Sequence, residues 1–333
     1  MRIAVTGGAG YIGSHTTVAL LEDGHEVLIL DNFANAERDV PDRVAQIAGH
    51  GAEVVDCDIT DRAALSLALA AFRPEAVIHF AGLKAVGEAM EQPLEYYRVN
   101  VAGSVSLFSA MAEIACNRLV FSSSATVYGD PVQVPIPEDH ALRPTNPYGQ
   151  SKRMVEQIIE DWGRANPALA AINLRYFNPV GAHPSARIGE APQGMPNNLM
   201  PYIAQVAMGW RETLSVFGND YDTPDGTGMR DYIHVVDLAL AHLAALELTG
   251  RERGVQAINV GTGRGYSVLE MIAAFSAASG REIPYVITDR RPGDIATSLA
   301  DPSRAAERLN WRARRDLDAM CRDTWTWQKG RNR

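Results

Sequence analysis

Short apolar, β-branched runs alternate with segments of helical period through the first half of the chain. RIAVT at 2–6 precedes a helical stretch over 11–22. Further runs stand at 26–30 (EVLIL), 52–55, 76–80 (AVIHF), 118–122 (RLVFS) and 171–176 (AINLRY). Apolar runs without polar alternation, separated by helices, predict a parallel sheet covered on both faces. The fold class is α/β, with a doubly wound, Rossmann-type parallel sheet. Beyond about residue 178 the pattern loosens. The stretch 179–196 is rich in Pro and Gly, 199–208 reads as a helix, and AINV at 257–260 predicts a late strand returning to the first sheet. A first domain over 1–178 and a smaller α/β domain over 179–333 are expected, interleaved through a return segment near 230–265.

Composition narrows the partners. The 333 residues suggest two domains at ~150 residues each. With 46% hydrophobic residues the chain can fill a core. The net charge of -9 speaks against nucleic acid or an anionic membrane as the main partner. A small anionic ligand held by helix dipoles and single arginines remains compatible. Nothing approaches the ~18 uninterrupted apolar residues of a membrane span, and MRIAVTGGAG is too short for a signal peptide. Cys57, Cys116 and Cys321 are odd in number and far apart, with no CxxC pair. Neither a disulfide framework nor a metal site is expected, and a reducing, cytoplasmic location follows. The basic tail 329–333 reads as a frayed, solvated end.

Between the first strand and the first helix lies Thr6-Gly7-Gly8-Ala9-Gly10-Tyr11-Ile12-Gly13. It satisfies GxGxxG through Gly8, Gly10 and Gly13, and GxxGxxG through Gly7, Gly10 and Gly13. Glycine is needed where a Cβ would hold the backbone away from a pyrophosphate, which then meets the helix N-terminus. By itself the motif is a glycine-rich turn. Asp31 gives it context, because it ends the second strand 18 residues after Gly13 (31 − 13). A carboxylate there can accept from the adenosine ribose hydroxyls and would repel a 2′-phosphate, so NAD is favoured over NADP. Asp58 and Ile59 end the third strand, where they could flank the adenine.

Tyr148 and Lys152 form Tyr-x-x-x-Lys in NPYGQSKRMVEQII, on a helix predicted to begin close to Tyr148. A spacing of four puts both on one face. The expected chemistry is a phenol whose pKa a nearby ammonium lowers, making a base usable near neutral pH. The pair alone could be an ordinary exposed i, i+4 contact. FSSSATVYG at 121–129 changes that, because it follows the fifth strand at the sheet edge where substrate meets cofactor. Ser124 can there bond the hydroxyl that Tyr148 deprotonates. Asn198 opens the helix at 199–208, whose N-terminus suits a diphosphate, and Arg230 and Arg291 can clamp its oxygens. His79 and His234 lie in apolar runs and read as packed. Glu156, Glu160 and Asp161 read as the solvated face of the Tyr-Lys helix.

With these residues in view, the chain resembles the extended short-chain dehydrogenase/reductases, and within them the UDP-glucose 4-epimerase family. The resemblance rests on TGGAGYIGSH, LDNF, FAGLKAVGEA, FSSSATVYG, PYGQSK, LRYFNPVGAH, PNNLMPYIAQVA, FGNDYDTPDGTGMRDYIHV, INVGTG and RRPGD, and covers nearly the whole chain. It implies an NAD site lined by Gly7, Gly10, Tyr11, Ile12, Gly13, Asp31, Asn32, Asp58, Ile59, Phe80, Ala81, Gly82, Lys84, Ser122 and Phe177, with Tyr148 and Lys152. Val99 stands where some relatives carry a cofactor-contacting Asn, and Asn100 beside it is the candidate for that contact. The UDP-sugar is assigned to Lys84, Ser124, Tyr148, Tyr176, Asn178, Asn198, Leu199, Phe217, Arg230, Arg291, Asp294 and Ser298.

The implied reaction oxidises the sugar at C4, turns the 4-keto sugar over and returns the hydride from its other face. Tyr148 is the base, Lys152 holds the nicotinamide ribose, and Ser124 shares the O4 proton. At the position matching Ser298 the family carries either a bulky Tyr or a small residue. Ser298 leaves room for a C2 acetamide, so UDP-GalNAc and UDP-GlcNAc are expected substrates too, unless it is merely a polar residue before a strand. A two-helix homodimer is implied by the resemblance alone. A nucleotide-sugar 4,6-dehydratase would need a further acid and base, and Ser124-Ala125-Thr126 offers no adjacent carboxylate. A non-catalytic NAD-sensing protein would have no reason to keep Ser124, Tyr148 and Lys152 together.

Overall fold

The computed structural model describes residues 1–192, 196, 198–291 and 293–331. Positions 193–195, 197, 292 and 332–333, which belong to the Pro/Gly stretch, two of the sequence motifs and the basic tail, lie outside the described residues. Six strands of the main sheet come from the first half: β1 (Arg2–Thr6), β2 (Glu26–Asp31), β3 (Glu53–Asp56), β4 (Ala76–His79), β5 (Arg118–Ser124) and β6 (Ala170–Tyr176). The seventh, Gly254–Val260, arrives late and pairs in parallel with β6. The order across the sheet is Gly254–Val260, β6, β5, β4, β1, β2, β3, and every pairing is parallel.

The apolar runs explain both covered faces. Alternate residues of each strand enter different layers. Ile3, Val5 and Ile29 pack with Val18 and Leu21 of helix Tyr11–Glu22 and with Leu238 and Ala245 of helix Val235–Arg251. Ala4, Leu28, Val77 and Phe121 pack on the opposite side with Leu69, Met111, Val155 and Ile159. Those four come from helices Arg62–Phe72, Gly103–Glu113 and Pro147–Ala165. The order reverses between β1 and β4, so their carboxyl ends part and leave a crevice, the usual ligand position in such sheets.

The remaining strands are small. Met229–His234 pairs with Asn178–Val180, Gly265–Ser267 and Thr297–Ser298, and Leu214–Phe217 pairs in parallel with Tyr285–Thr288. A separate core of Ile203, Val216, Tyr232, Met271, Phe275 and Trp325 supports them. Helix Val268–Ser279 starts with a complete capping box between Ser267 and Glu270, and helix Leu199–Ala207 begins directly after Asn198. Cys57, Cys116 and Cys321 are all buried thiols. Among the described residues no helix is long and apolar enough to cross a membrane.

Candidate active site

The glycine turn is closed too tightly for other residues. Gly7 has φ +67°, and a Cβ there would lie 2.7 Å from the Ala81 nitrogen. At Gly13 a Cβ would come within 2.1 Å of the Gly7 carbonyl. Gly10, Tyr11 and Ile12 complete the passage into helix Tyr11–Glu22, Gly10 being its N-cap. The Tyr11 hydroxyl donates to the Gly181 carbonyl at 2.7 Å. Asp31 is buried at the end of β2 and accepts from the Ala9 and Phe33 amides at 3.0 and 2.9 Å. Burial raises its pKa, and these amides act against that. Asn32 donates to Asp58 at 2.9 Å. Burial works to raise Asp58, but hydrogen bonds from Thr60 and Asn32 outweigh it and leave the carboxyl below its ordinary value. Ile59 is buried against Gly103.

The opposite wall follows β4. Phe80 and Ala81 donate their amides to the Thr6 carbonyl at 3.0 and 3.1 Å, and Gly82 runs beside the Asn100 side chain. Asn100 accepts from the Leu83 amide at 2.7 Å and donates to the Leu83 carbonyl and Ser151 Oγ, each at 3.0 Å. Both its amide hydrogens are thus committed to protein. Asn100 thereby holds the loop that shapes the wall. Lys84 Nζ lies 3.1 Å from Glu190 Oε1 and 5.9 Å from the Tyr11 ring centroid.

Helix Pro147–Ala165 starts where the sequence indicates, with Pro147 in its first turn and Asn146 accepting from the Gly149 amide at 2.9 Å. Lys152 is buried. Its ammonium donates to the Ser122 carbonyl at 2.8 Å, 5.0 Å from the Phe121 ring centroid and 5.9 Å from that of Tyr148. Burial pushes its pKa down to about 8, against the opposing pull of Glu156. The Tyr148 ring is half-buried, yet burial around the phenol raises its pKa, and only the neighbouring Ser124 hydroxyl acts the other way. This corrects the expectation of a phenol lowered by its lysine. The ammonium is engaged by the Ser122 carbonyl, and desolvation dominates at the phenol. Ser124 caps the short turn Ala125–Val127, accepting from the Thr126 amide and hydroxyl at 3.2 and 2.9 Å.

Three other residues fall nearby. The Ser122 hydroxyl pairs with the Tyr176 hydroxyl inside the sheet, so the Tyr176 phenol is engaged by protein. Phe177 is buried with Val127, Tyr128 and Ile136. Glu156 does not lie on a solvated face as its helix position suggested. It is fully buried and bonded to Arg175, while Asp161 is exposed. A charge in the middle of the apolar run AINLRY was the available signal, since a buried arginine demands a counter-charge.

The remaining predicted residues gather around Met229–His234. Asn178 is register-paired with Tyr232. Arg230 Nη2 stands 3.3 Å from Asp294 Oδ1, and half-buried Ser298 is the register partner of Arg230. The Arg291 guanidinium lies 3.9 Å from the Phe217 ring centroid. Asn198 precedes Leu199 at the helix start, but its side chain donates to Glu190 Oε1 at 3.0 Å instead of capping. Glu190, which local sequence pattern does not single out, therefore joins Lys84 to Asn198 and links the cradle wall to this helix.

The family model described as GDP-mannose 4,6 dehydratase matches residues 4–324. The chain is 56% identical to a UDP-glucose 4-epimerase of Bacillus subtilis (strain 168), over 98% of this chain and 97% of that protein. Among solved structures, the UDP-glucose-4-epimerase of Stenotrophomonas maltophila with bound NAD and formylated UDP-arabinopyranose superposes with a TM-score of 0.98 at 49% identity, covering 100% of this chain and 99% of that one. That of Bifidobacterium longum, in complex with NAD+ and UDP, gives 0.97 at 47% identity with the same coverage. The chain belongs to the UDP-glucose 4-epimerase family. As a UDP-glucose 4-epimerase homologue it is an isomerase, and its seven-stranded parallel sheet is the Rossmann-like sheet of the epimerase structures.

Lys152 leaves a pH signature. Its pKa is about 8 in the folded protein and ~10.4 in an unfolded chain. At lower pH both states hold the proton, and the cost of burying it is fully present. Between the two values the folded state sheds it first, so this group's contribution to stability rises with pH. Lys152→Met removes that contribution. Chemical denaturation from about pH 8 to about pH 10 should show the variant losing stability relative to the parent; a constant difference would contradict the shift.

Proposed function

We propose that the protein interconverts UDP-galactose and UDP-glucose by oxidation at C4, rotation of the 4-keto sugar and re-reduction, with NAD as its cofactor. What carries this reading is the joint placement of Ser124, Tyr148 and Lys152 beside the crevice where β1 and β4 part. The cradle fits a dinucleotide, because Gly7 and Gly13 let strand, turn and helix close against one another so that the helix, with Gly10 as its N-cap, offers its N-terminus to a pyrophosphate, and Asp31 stands at the ribose end. Bound there, NAD supplies reversible hydride acceptance. Gly10, Tyr11, Ile12, Asn32, Asp58, Ile59, Phe80, Ala81, Gly82, Lys84, Asn100, Ser122 and Phe177 complete its lining in this reading.

The other steps belong to the chain's own side chains. Tyr148 takes the proton from the sugar O4 and later returns it, and Ser124 bonds the same oxygen. Lys152 binds the nicotinamide ribose, and its positive charge favours the phenolate. Arg230 and Arg291 grip the diphosphate, with Asn198, Leu199 and the N-terminus of helix Leu199–Ala207 beside it. Phe217, Asn178, Tyr176 and Asp294 border the nucleotide and sugar. Inversion requires a firmly held UDP and a loosely held hexose, which suits charged groups concentrated at the diphosphate.

The same reading divides the chain into an NAD-binding domain over 1–178, with a return segment near 230–265, and a UDP-sugar domain over 179–333. It includes a homodimer in the cytoplasm. Support for the pairing comes from Val105 and Met154, exposed apolar side chains on adjacent helices whose Phe108 and Trp162 stack at 5.6 Å. Ser298, the register partner of Arg230, supports turnover of UDP-GalNAc and UDP-GlcNAc as well, because a small side chain at the position bordering the hexose leaves space for a C2 acetamide.

Tyr148→Phe should reduce UDP-galactose turnover by ~10²–10⁴-fold while NAD is still released on denaturation, as read by mass spectrometry. Activity within a factor of about two of the parent would remove Tyr148 as the base. Asp31→Ala should relax the preference for NAD over NADP, and an unchanged affinity ratio in direct binding would dismiss Asp31 as the ribose ligand. Ser298→Tyr should abolish the acetylated reaction and spare the plain one. Brisk UDP-galactose turnover by the parent with no acetylated product would refute the steric argument.

A further inference from the structure

One turn beyond Lys152, the fully buried carboxylate of Glu156 accepts from Ser123 Oγ at 2.6 Å. It also accepts from Arg175 Nε and Nη2, each at 2.8 Å. Arg175 reaches it from β6, where it is the register partner of Ser123 in β5. Arg175 Nη1 donates to the Tyr128 hydroxyl at 3.1 Å and the Glu138 carbonyl at 3.0 Å. Ser123 lies between Ser122, whose carbonyl holds the Lys152 ammonium, and Ser124, which adjoins Tyr148. One carboxylate thus ties the helix carrying Tyr148 and Lys152 to the strand carrying the rest of the centre.

Stability is a weak reason for such a pair, since well-packed apolar residues of similar volume often serve as well. Orientation is a better one. Spacings of four and eight put Lys152 and Tyr148 on the helix stripe that ends at Glu156. Any rotation that misplaced them would break charged hydrogen bonds. We propose that Glu156 is a positioning residue for the reaction: gripped by Ser123 and Arg175, it fixes the rotation of helix Pro147–Ala165 and sets a carboxylate one helical turn from Lys152.

This rests on the roles given above to Tyr148 and Lys152. The titratable and charged groups around Lys152 are Tyr148, Arg153 and Glu156 on its own helix, His79 on β4, and Arg175 and Tyr176 on β6. Burial pushes His79 down to about 3, so it is neutral there. Arg153 is shared between Glu156 at 3.8 Å and Glu160 at 2.9 Å. In this set Glu156 is the carboxylate, and it opposes the desolvation of Lys152.

The sequence contains three lysines, Lys84, Lys152 and Lys329, so NMR of protein labelled at lysine ¹³Cε can follow Lys152 by itself. The variant Glu156→Gln/Arg175→Met removes the pair without stranding a buried charge. Lys152, whose pKa burial pushes down to about 8, should lose about tenfold in proton affinity. Turnover should fall roughly tenfold, its alkaline limb moving to lower pH, while KM for UDP-galactose stays within about twofold. A purely structural role would lower Tm and move neither titration nor limb. Ser123→Ala, which deletes one hydroxyl, should shift Lys152 the same way by less, and decides the matter if the double variant does not fold. Parental titration of Lys152 in whichever variant folds overturns the proposal. The titration needs no turnover, so its outcome is separate from the epimerase reading, which fails only if the parent does not invert C4.

Discussion

Everything in this molecule is arranged around the parting of β1 and β4. Parallel strands buried on both faces leave no polar surface along their length, so chemistry can enter only at their ends. The reversal of strand order opens one crevice at the carboxyl side, and the chain crowds it from every direction. The glycine turn comes from β1, Asp31 from β2, the Phe80–Gly82 wall from β4, and the serine run from β5. The Tyr148 helix then returns across the same end. The closeness of Gly13 to the Gly7 carbonyl makes this arrangement stiff at its narrowest point.

Much of this is written locally in the sequence. β1 and helix Tyr11–Glu22 have the bounds their runs indicate. The helix after Asn146 starts on time because a capping Asn and a first-turn Pro are adjacent signals. The strand Gly254–Val260 was legible because four consecutive apolar or amide residues precede a glycine turn; its extra residues at the start carry no such pattern. What stayed hidden was pairing at a distance. Glu156 shares the helix stripe of Tyr148 and Lys152, but its partner Arg175 is remote in sequence. Glu190 depends on Lys84 and Asn198, 106 and 8 residues away, and nothing in a local window joins them. The state of Tyr148 is hidden for a similar reason: a nearby ammonium is visible in Tyr-x-x-x-Lys, whereas the desolvation that opposes it comes from the assembled fold.

In this acidic chain two guanidiniums around the strand Met229–His234 stand without a close bidentate carboxylate among the described residues. Arg291 lies over an aromatic ring, and Arg230 is shared with Asp294 at the long distance of 3.3 Å. Both guanidiniums are therefore oriented without being neutralised by a close bidentate partner.

The three cysteines give the fold an unplanned reporter. Burial drives Cys57 and Cys116 up to about 11 and Cys321 up to about 12. At neutral pH the thiolate, which is the reactive form, is scarce in each of them. An alkylating reagent therefore meets almost no nucleophile until the chain opens. Cys57 and Cys116 lie in the layer beneath the main sheet and Cys321 in the core around Trp325. Counting labels at each position would thus time the melting of the two regions independently, with no foreign probe attached.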